Sequence, residues 1–197
     1  MRLPGLPLDF EWRVRPAEPP AVSDSTLSIS AGPRTDLFAD PGGGSPILNA
    51  PRALARMHGD FQFVARVSVE FGTTFDAGAL VVWSDADRWA KLALEYSPEA
   101  QGTVVSVVTR RVSDDCNSFV VAGSSVWLRV SRLGDAGVFH ASFDGSVWSL
   151  VRHFGIEGWD PVEAGFLAQS PRGEGCTVMF SDVALIHGAL TDIRSGV

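Results

Sequence analysis

Between Asp60 and Gly72 the chain reads Phe61-Gln62-Phe63-Val64-Ala65-Arg66-Val67-Ser68-Val69-Glu70-Phe71. The odd positions, Phe61, Phe63, Ala65, Val67, Val69 and Phe71, are all apolar, while the even positions include Gln62, Arg66, Ser68 and Glu70. Successive strand side chains point to opposite faces, so a period of two over this length means a strand with one buried face. The pattern also fixes the register. A slip of one residue would carry Glu70 inside and Phe71 outside.

Similar candidates follow at short intervals: Ala77–Trp83, Trp89–Tyr96, Thr103–Arg110, Ser118–Val121, Val126–Arg132, Gly137–Phe143, Val147–Phe154, Glu163–Gln169 and Thr177–His187. Weaker ones precede them at Phe10–Val14, Thr26–Ser30 and Ala53–Met57. Asp144-Gly145, between two apolar runs, predicts a two-residue hairpin, whose turn needs positive φ at both central positions. Pro16–Pro20 and Pro41–Pro46 read as loops, and Ile193–Val197 as a loose tail. Many short strands without intervening helices indicate a sandwich or barrel rather than βαβ units. The expected fold is therefore all-β, a two-sheet antiparallel jelly-roll sandwich over residues 1–197. Phe61, Phe63, Val67, Val69, Leu92 and Leu94 should lie between the sheets. A chain of 197 residues buries enough surface to need no disulfide or metal.

The net charge of -7 and the lack of any Lys/Arg cluster exclude the basic footprint of a nucleic-acid binder. Lys91 is the only lysine, and every other basic side chain is arginine or histidine. No stretch approaches the ~20 apolar residues of a membrane-spanning helix. Met1–Pro7 lacks the apolar run of a signal peptide. These features predict a cytoplasmic protein whose two cysteines, Cys116 and Cys176, are free thiols.

Along the chain stand Thr35-Asp36-Leu37-Phe38, Asn49-Ala50-Pro51, Asp60-Phe61-Gln62-Phe63 and Asp76-Ala77-Gly78-Ala79-Leu80-Val81. Trp89–Glu95, Ser106–Arg110, Ser113-Asp114, Trp127–Val130, Asp144–Trp148, Leu150–Arg152 and Gly165–Pro171 follow. In this order and spacing the chain resembles the "regulation of enolase" proteins of the concanavalin A-like lectin/glucanase superfamily. The resemblance implies a jelly roll and, by superfamily analogy alone, sugar binding. Its label implies a protein-interaction domain acting on a metabolic enzyme. The chain departs from the family where an aromatic usually follows the Ser-Asp pair, for Asp115-Cys116-Asn117 stands there instead.

On a strand at Trp89–Tyr96, Trp89, Lys91, Ala93 and Glu95 share one face, and Leu92, Leu94 and Tyr96 the other. Lys91 and Glu95 are about 13 Å apart along such a strand, so each must find partners on neighbouring strands. Arg129, on the same face of its strand as Trp127, is one candidate; Arg110 and Arg152 are others. Two readings of these seven residues stay open. One is a structural ion-pair network on a sheet face. The other is the floor of a polar cleft for a carbohydrate or polar metabolite.

Catalysis has less support. Glycoside hydrolysis uses two carboxylates about 5–9.5 Å apart, and within its strand Glu95 has no acidic neighbour two or four positions away. Glu70 and Glu163 lie on other segments. His58, His140, His153 and His187 are scattered without metal-ligand spacing, and Asp85-Ala86-Asp87 and Asp114-Asp115 read as solvated turns. No metal or cofactor is expected.

Overall fold

The computed structural model describes residues 1–23 and 26–197. Sixteen strands are formed among the described residues. The first six are β1 (Glu11–Val14), β2 (Ala21–Ser23), β3 (Thr26–Ala31), β4 (Leu37–Phe38), β5 (Ile47–Leu48) and β6 (Arg52–Arg56). Then come β7 (Phe61–Glu70), β8 (Ala77–Asp85), β9 (Arg88–Tyr96), β10 (Gly102–Arg110) and β11 (Val112–Val121). The last are β12 (Ser125–Leu133), β13 (Ala136–Ser142), β14 (Ser149–Gly155), β15 (Glu163–Gln169) and β16 (Cys176–His187). One seven-stranded sheet runs β1-β6-β15-β8-β9-β10-β11, and a second runs β14-β13-β12-β7-β16-β3-β2. The pairings are antiparallel throughout both sheets. This is the expected all-β sandwich.

The alternation in β7 sets the register of the core. Phe61, Phe63, Ala65, Val67 and Val69 all face the space between the sheets, whereas Glu70 is exposed. Leu92 and Leu94 of β9 meet them from the opposite sheet. Phe10, Phe63, Phe166 and Phe180 form a chain of tilted and edge-on ring contacts, with centroids 4.8 to 6.1 Å apart. Fully burying each ring contributes roughly 1.5–3 kcal/mol. Gly78 lets the sheets close here, because a Cβ at that position would overlap Val178 and Val67.

Two local expectations need correction. Asp144-Gly145 is not a two-residue hairpin, since six residues separate β13 from β14. The Asp144 carboxylate accepts hydrogen bonds from the backbone N–H groups of Ser146 and Val147, both at 2.8 Å, and from the Ser142 hydroxyl at 3.0 Å. These bonds close a wider loop and hold the Asp144 carboxyl far below the usual carboxylate range. The C-terminal segment is not loose either. Gly196 carbonyl accepts from Arg129 (2.7 Å) and Ile193 carbonyl accepts from the His140 Nε2–H (2.9 Å), while Asp192 bonds the hydroxyl of Ser195 and the amide of Arg194.

Residues 35–50 do not extend either large sheet. Their β4–β5 ribbon lies as a flap over the outer face of the first sheet. Beneath it Leu37, Ala50, Leu54, Val81, Trp83, Trp89 and Leu167 form a second apolar cluster, separate from the inter-sheet core. Two buried cations pin the flap. Arg52 donates to the carbonyls of Leu48 (2.9 Å) and Ala50 (3.2 Å) with its guanidinium over the Trp83 ring. Lys91 donates to the carbonyl of Leu37 at 2.8 Å. An irregular ribbon buried on one side exposes carbonyls that no ladder satisfies, and these side chains supply the missing donors.

Candidate functional site

Where the flap ends, the outer face of the first sheet is hollow. Register places Ala93 of β9 beside Ala79 of β8 and beside Val105 of β10. Glu95 likewise stands beside Ala77. Small residues at adjacent positions leave a depression on a pleated surface that larger ones would fill. Next to these positions lies a cavity of about 190 Å³. Lys91, Glu95, Val105 and Val107 form its floor, and Asp36 and Phe38 enter from the flap. Phe75, Gln169 and Pro171 close one side, and Asp115 of β11 stands on the other.

The two charged floor residues behave differently. Lys91 is buried, and its Nζ donates to Leu37 carbonyl and to Gln169 Oε1, both at 2.8 Å. Asp36 Oδ1 lies 3.7 Å from the same nitrogen. The ammonium is thus held within the protein. Glu95 has no protein hydrogen-bond partner among the described residues. Burial pushes its carboxyl up to about 7; Lys91 acts in the opposite sense, and Asp36 and Asp115 add to the rise. Glu95 is therefore the polar group of the cavity floor whose hydrogen-bonding capacity is unspent.

Behind the cavity a buried carboxylate fixes the wall. Asp76 accepts from the backbone N–H groups of Gly72 (2.9 Å) and Thr73 (2.7 Å) and from the Ser170 hydroxyl (2.6 Å). Thr35 and Ser170 exchange backbone hydrogen bonds of 3.2 and 3.1 Å, which tie the start of the flap to the end of β15. Asp36, Phe75 and Gln169 are positioned by this frame.

Of the seven residues expected to meet on one cleft floor, Lys91 and Glu95 line this cavity and the other five do not. Trp89 shares their face but lies fully buried under the flap, stacked on Trp83 at 6.5 Å, out of reach of a ligand. Trp127 and Arg129 belong to β12, in the opposite sheet. Trp127 packs under Arg66, and Arg129 rests on the Trp148 ring at 4.2 Å beneath the C-terminal segment. Arg110 and Arg152 sit on the open edge of the sandwich. Arg110 donates to Gly155 carbonyl (2.6 Å), and Arg152 to the carbonyl of Asp114 (3.1 Å), clipping β10 and β11 to β14. The error has one cause: alternation assigns a side chain to a face of its own strand but does not say which sheet the strand joins. Glu163 is paired with Arg13, and Glu70 lies in the second sheet, so neither stands with Glu95 as a second carboxylate.

The sequence reading missed Asp36, Phe38, Phe75, Asp115, Gln169 and Pro171. A signal existed for several of them. Four segments that carry the family resemblance, Thr35–Phe38, Trp89–Glu95, Ser106–Arg110 and Gly165–Pro171, converge on this one place. Among the described residues no group of His, Cys, Asp or Glu is arranged to hold a metal ion.

Residues 12–187 match the model of a family described as "Protein of unknown function (DUF1349)", and the chain belongs to that family. A search of curated proteins finds no match. Among solved structures, a functionally unknown protein from Saccharomyces cerevisiae is 22% identical with a TM-score of 0.85, over 91% of this chain and 97% of that one. The GH43 BlXynB protein from Bacillus licheniformis is 14% identical with a TM-score of 0.67, covering 82% of this chain but only 32% of the enzyme. The CBM2 module of the evolved Dit of Lactobacillus casei BL23 phage J-1 is 16% identical with a TM-score of 0.53, over 86% of this chain and 79% of the module. At these identities the likeness is one of fold.

Proposed function

We propose that this member of the DUF1349 family binds, without catalysis, a small polar molecule of carbohydrate type in the cavity between the flap and the outer face of the first sheet. The observation that carries the reading is Glu95: a half-buried carboxyl on the cavity floor with no hydrogen-bond partner among the described residues. A buried polar group left unpaired costs free energy, and a ligand hydroxyl or amine would satisfy it. The surroundings suit a sugar ring. Phe38, Phe75, Val105 and Val107 offer apolar faces, and Gln169 and Asp115 add polar groups at the rim. The volume of about 190 Å³ lies below the ~300–1,000 Å³ of drug-sized sites and fits a single small unit rather than a long chain. A noncatalytic role is supported by the commitments of two other acids, Asp36 with Lys91 and Glu163 with Arg13, which leave Asp115, exposed at the rim, as the other free carboxylate of the lining.

The test is a thermal-shift screen of monosaccharides and polar metabolites, run in parallel on Ala93→Leu, which puts a larger side chain between Lys91 and Glu95 and beside Val105 of the floor. A ligand at 100 times its Kd stabilises by ~2.7 kcal/mol, or roughly 5–11 °C for a domain of this size. The shift should vanish in Ala93→Leu. A panel that leaves the melting temperature unmoved, or a shift that survives Ala93→Leu, rejects the cavity as the site.

A further inference from the structure

The charges around the cavity do not balance, and the imbalance narrows the ligand class. Lys91 has three N–H bonds to give. Leu37 carbonyl and Gln169 Oε1 take two, and Asp36 faces the third side of the nitrogen. Its positive charge is spoken for by a carboxylate that also lines the cavity. What remains is Glu95 on the floor and Asp115 on the β11 side, with no second cation in the lining. Arg152, on the open edge, is paired with Asp114. Arg172 lies exposed over the Phe75 ring outside the cavity.

An anionic ligand would meet a partly desolvated lining in which three carboxylates face a single ammonium. A neutral sugar hydroxyl would donate to the Glu95 carboxylate but leave its charge in place. A protonated amine would donate to it as an ion pair and cancel that charge. We propose that the ligand is an amino-bearing polyol, of which an amino sugar is the simplest kind, with its ammonium against Glu95 and in the field of Asp115. The pocket then discriminates against sugar acids. This inference rests on the cavity being a ligand site, and it specifies what that site selects.

The experiment is isothermal titration calorimetry at pH 7.5 with four sugars of matched size: glucosamine, 6-amino-6-deoxyglucose, glucose and glucuronate. At least one amino sugar should bind ten-fold or more tighter than glucose, and glucuronate should bind weakest. Glu95→Gln should bring the amino sugar to within about three-fold of glucose. Asp115→Asn, on the exposed edge strand where folding is not at stake, should weaken the amino sugar more than it weakens glucose. Glucose binding as tightly as both amino sugars, and lost in Ala93→Leu, overturns the amine assignment while the cavity stays a sugar site. Tight glucuronate binding lost in Ala93→Leu overturns it in the same way. Binding that persists in Ala93→Leu, or no binding of any of the four, overturns this inference and the functional reading together.

Discussion

Replacing Glu95 by Gln keeps the shape of the side chain and removes its charge. The folded-state carboxyl sits at about 7, against an ordinary value of 4.5, because burial disfavours the ionised form. Between these two values the folded protein holds a proton that the unfolded chain has lost. Stability must therefore fall as pH rises through that window, and stay low above it. A gap of about 2.5 units at 1.36 kcal/mol each gives a cost of roughly 3 kcal/mol in the ionised form. Glu95→Gln escapes this cost. In urea titrations its advantage over the parent should be below ~1 kcal/mol at pH 5 and should grow by roughly 2 kcal/mol by pH 8. Lys91, Asp36 and Asp115 face the same cavity, so the comparison is made as a difference between the two proteins at each pH, which cancels their common titration. A difference that does not change with pH, or a variant less stable than the parent at pH 8, would refute the claim that this carboxylate is desolvated and unpaired.

Lys91→Met should act in the opposite sense. Leu37 carbonyl, Gln169 and Asp36 would lose their donor, at a cost of about 2–4 kcal/mol in urea unfolding at pH 7; an unchanged midpoint would deny Lys91 its role in pinning the flap. Both cysteines are free, with Cys116 exposed and Cys176 buried, where burial raises the thiol to about 12. A disulfide reagent should titrate one thiol in native protein and two after unfolding, and two fast native thiols would place Cys176 at the surface. Gly196 has φ +75, and a Cβ there would sit 2.6 Å from an Arg129 nitrogen and 2.7 Å from Trp148 Cβ. Gly196→Val should displace the C-terminal segment and cost roughly 1–3 kcal/mol. Failure of carboxypeptidase to trim the variant faster than the parent would contradict that docking.

The fold was legible because alternation is a local signal with a global consequence. Phe61 to Val69 could face a core in only one register, and Leu92 and Leu94 followed the same rule. The weaknesses were equally physical. Asp144-Gly145 has the composition of a tight turn, but a carboxylate that captures two backbone amides and a hydroxyl stabilises a longer loop instead. The candidate site was half legible. Lys91 and Glu95 were correctly placed on one face, and they do border one cavity. Their expected arginine partners lie on the opposite sheet or the sandwich edge, because pairing between distant strands leaves no trace in the period of either one. The flap was read as a loop between Pro41 and Pro46. Its importance lies in the carbonyls that Lys91 and Arg52 satisfy, and no side-chain pattern encodes where a backbone carbonyl will need a donor.

The most direct measurement is a carbon-13 NMR titration of the Glu95 carboxyl, alone and with saturating 6-amino-6-deoxyglucose. The predicted midpoint is about 7 in the free protein. Binding of the ammonium should lower it by at least about one unit, since an opposite charge in contact favours the carboxylate. A midpoint near 4.5 in the free protein, or one that the amino sugar leaves unmoved, would contradict the account of Glu95 as the unpaired, ligand-facing carboxylate of this domain.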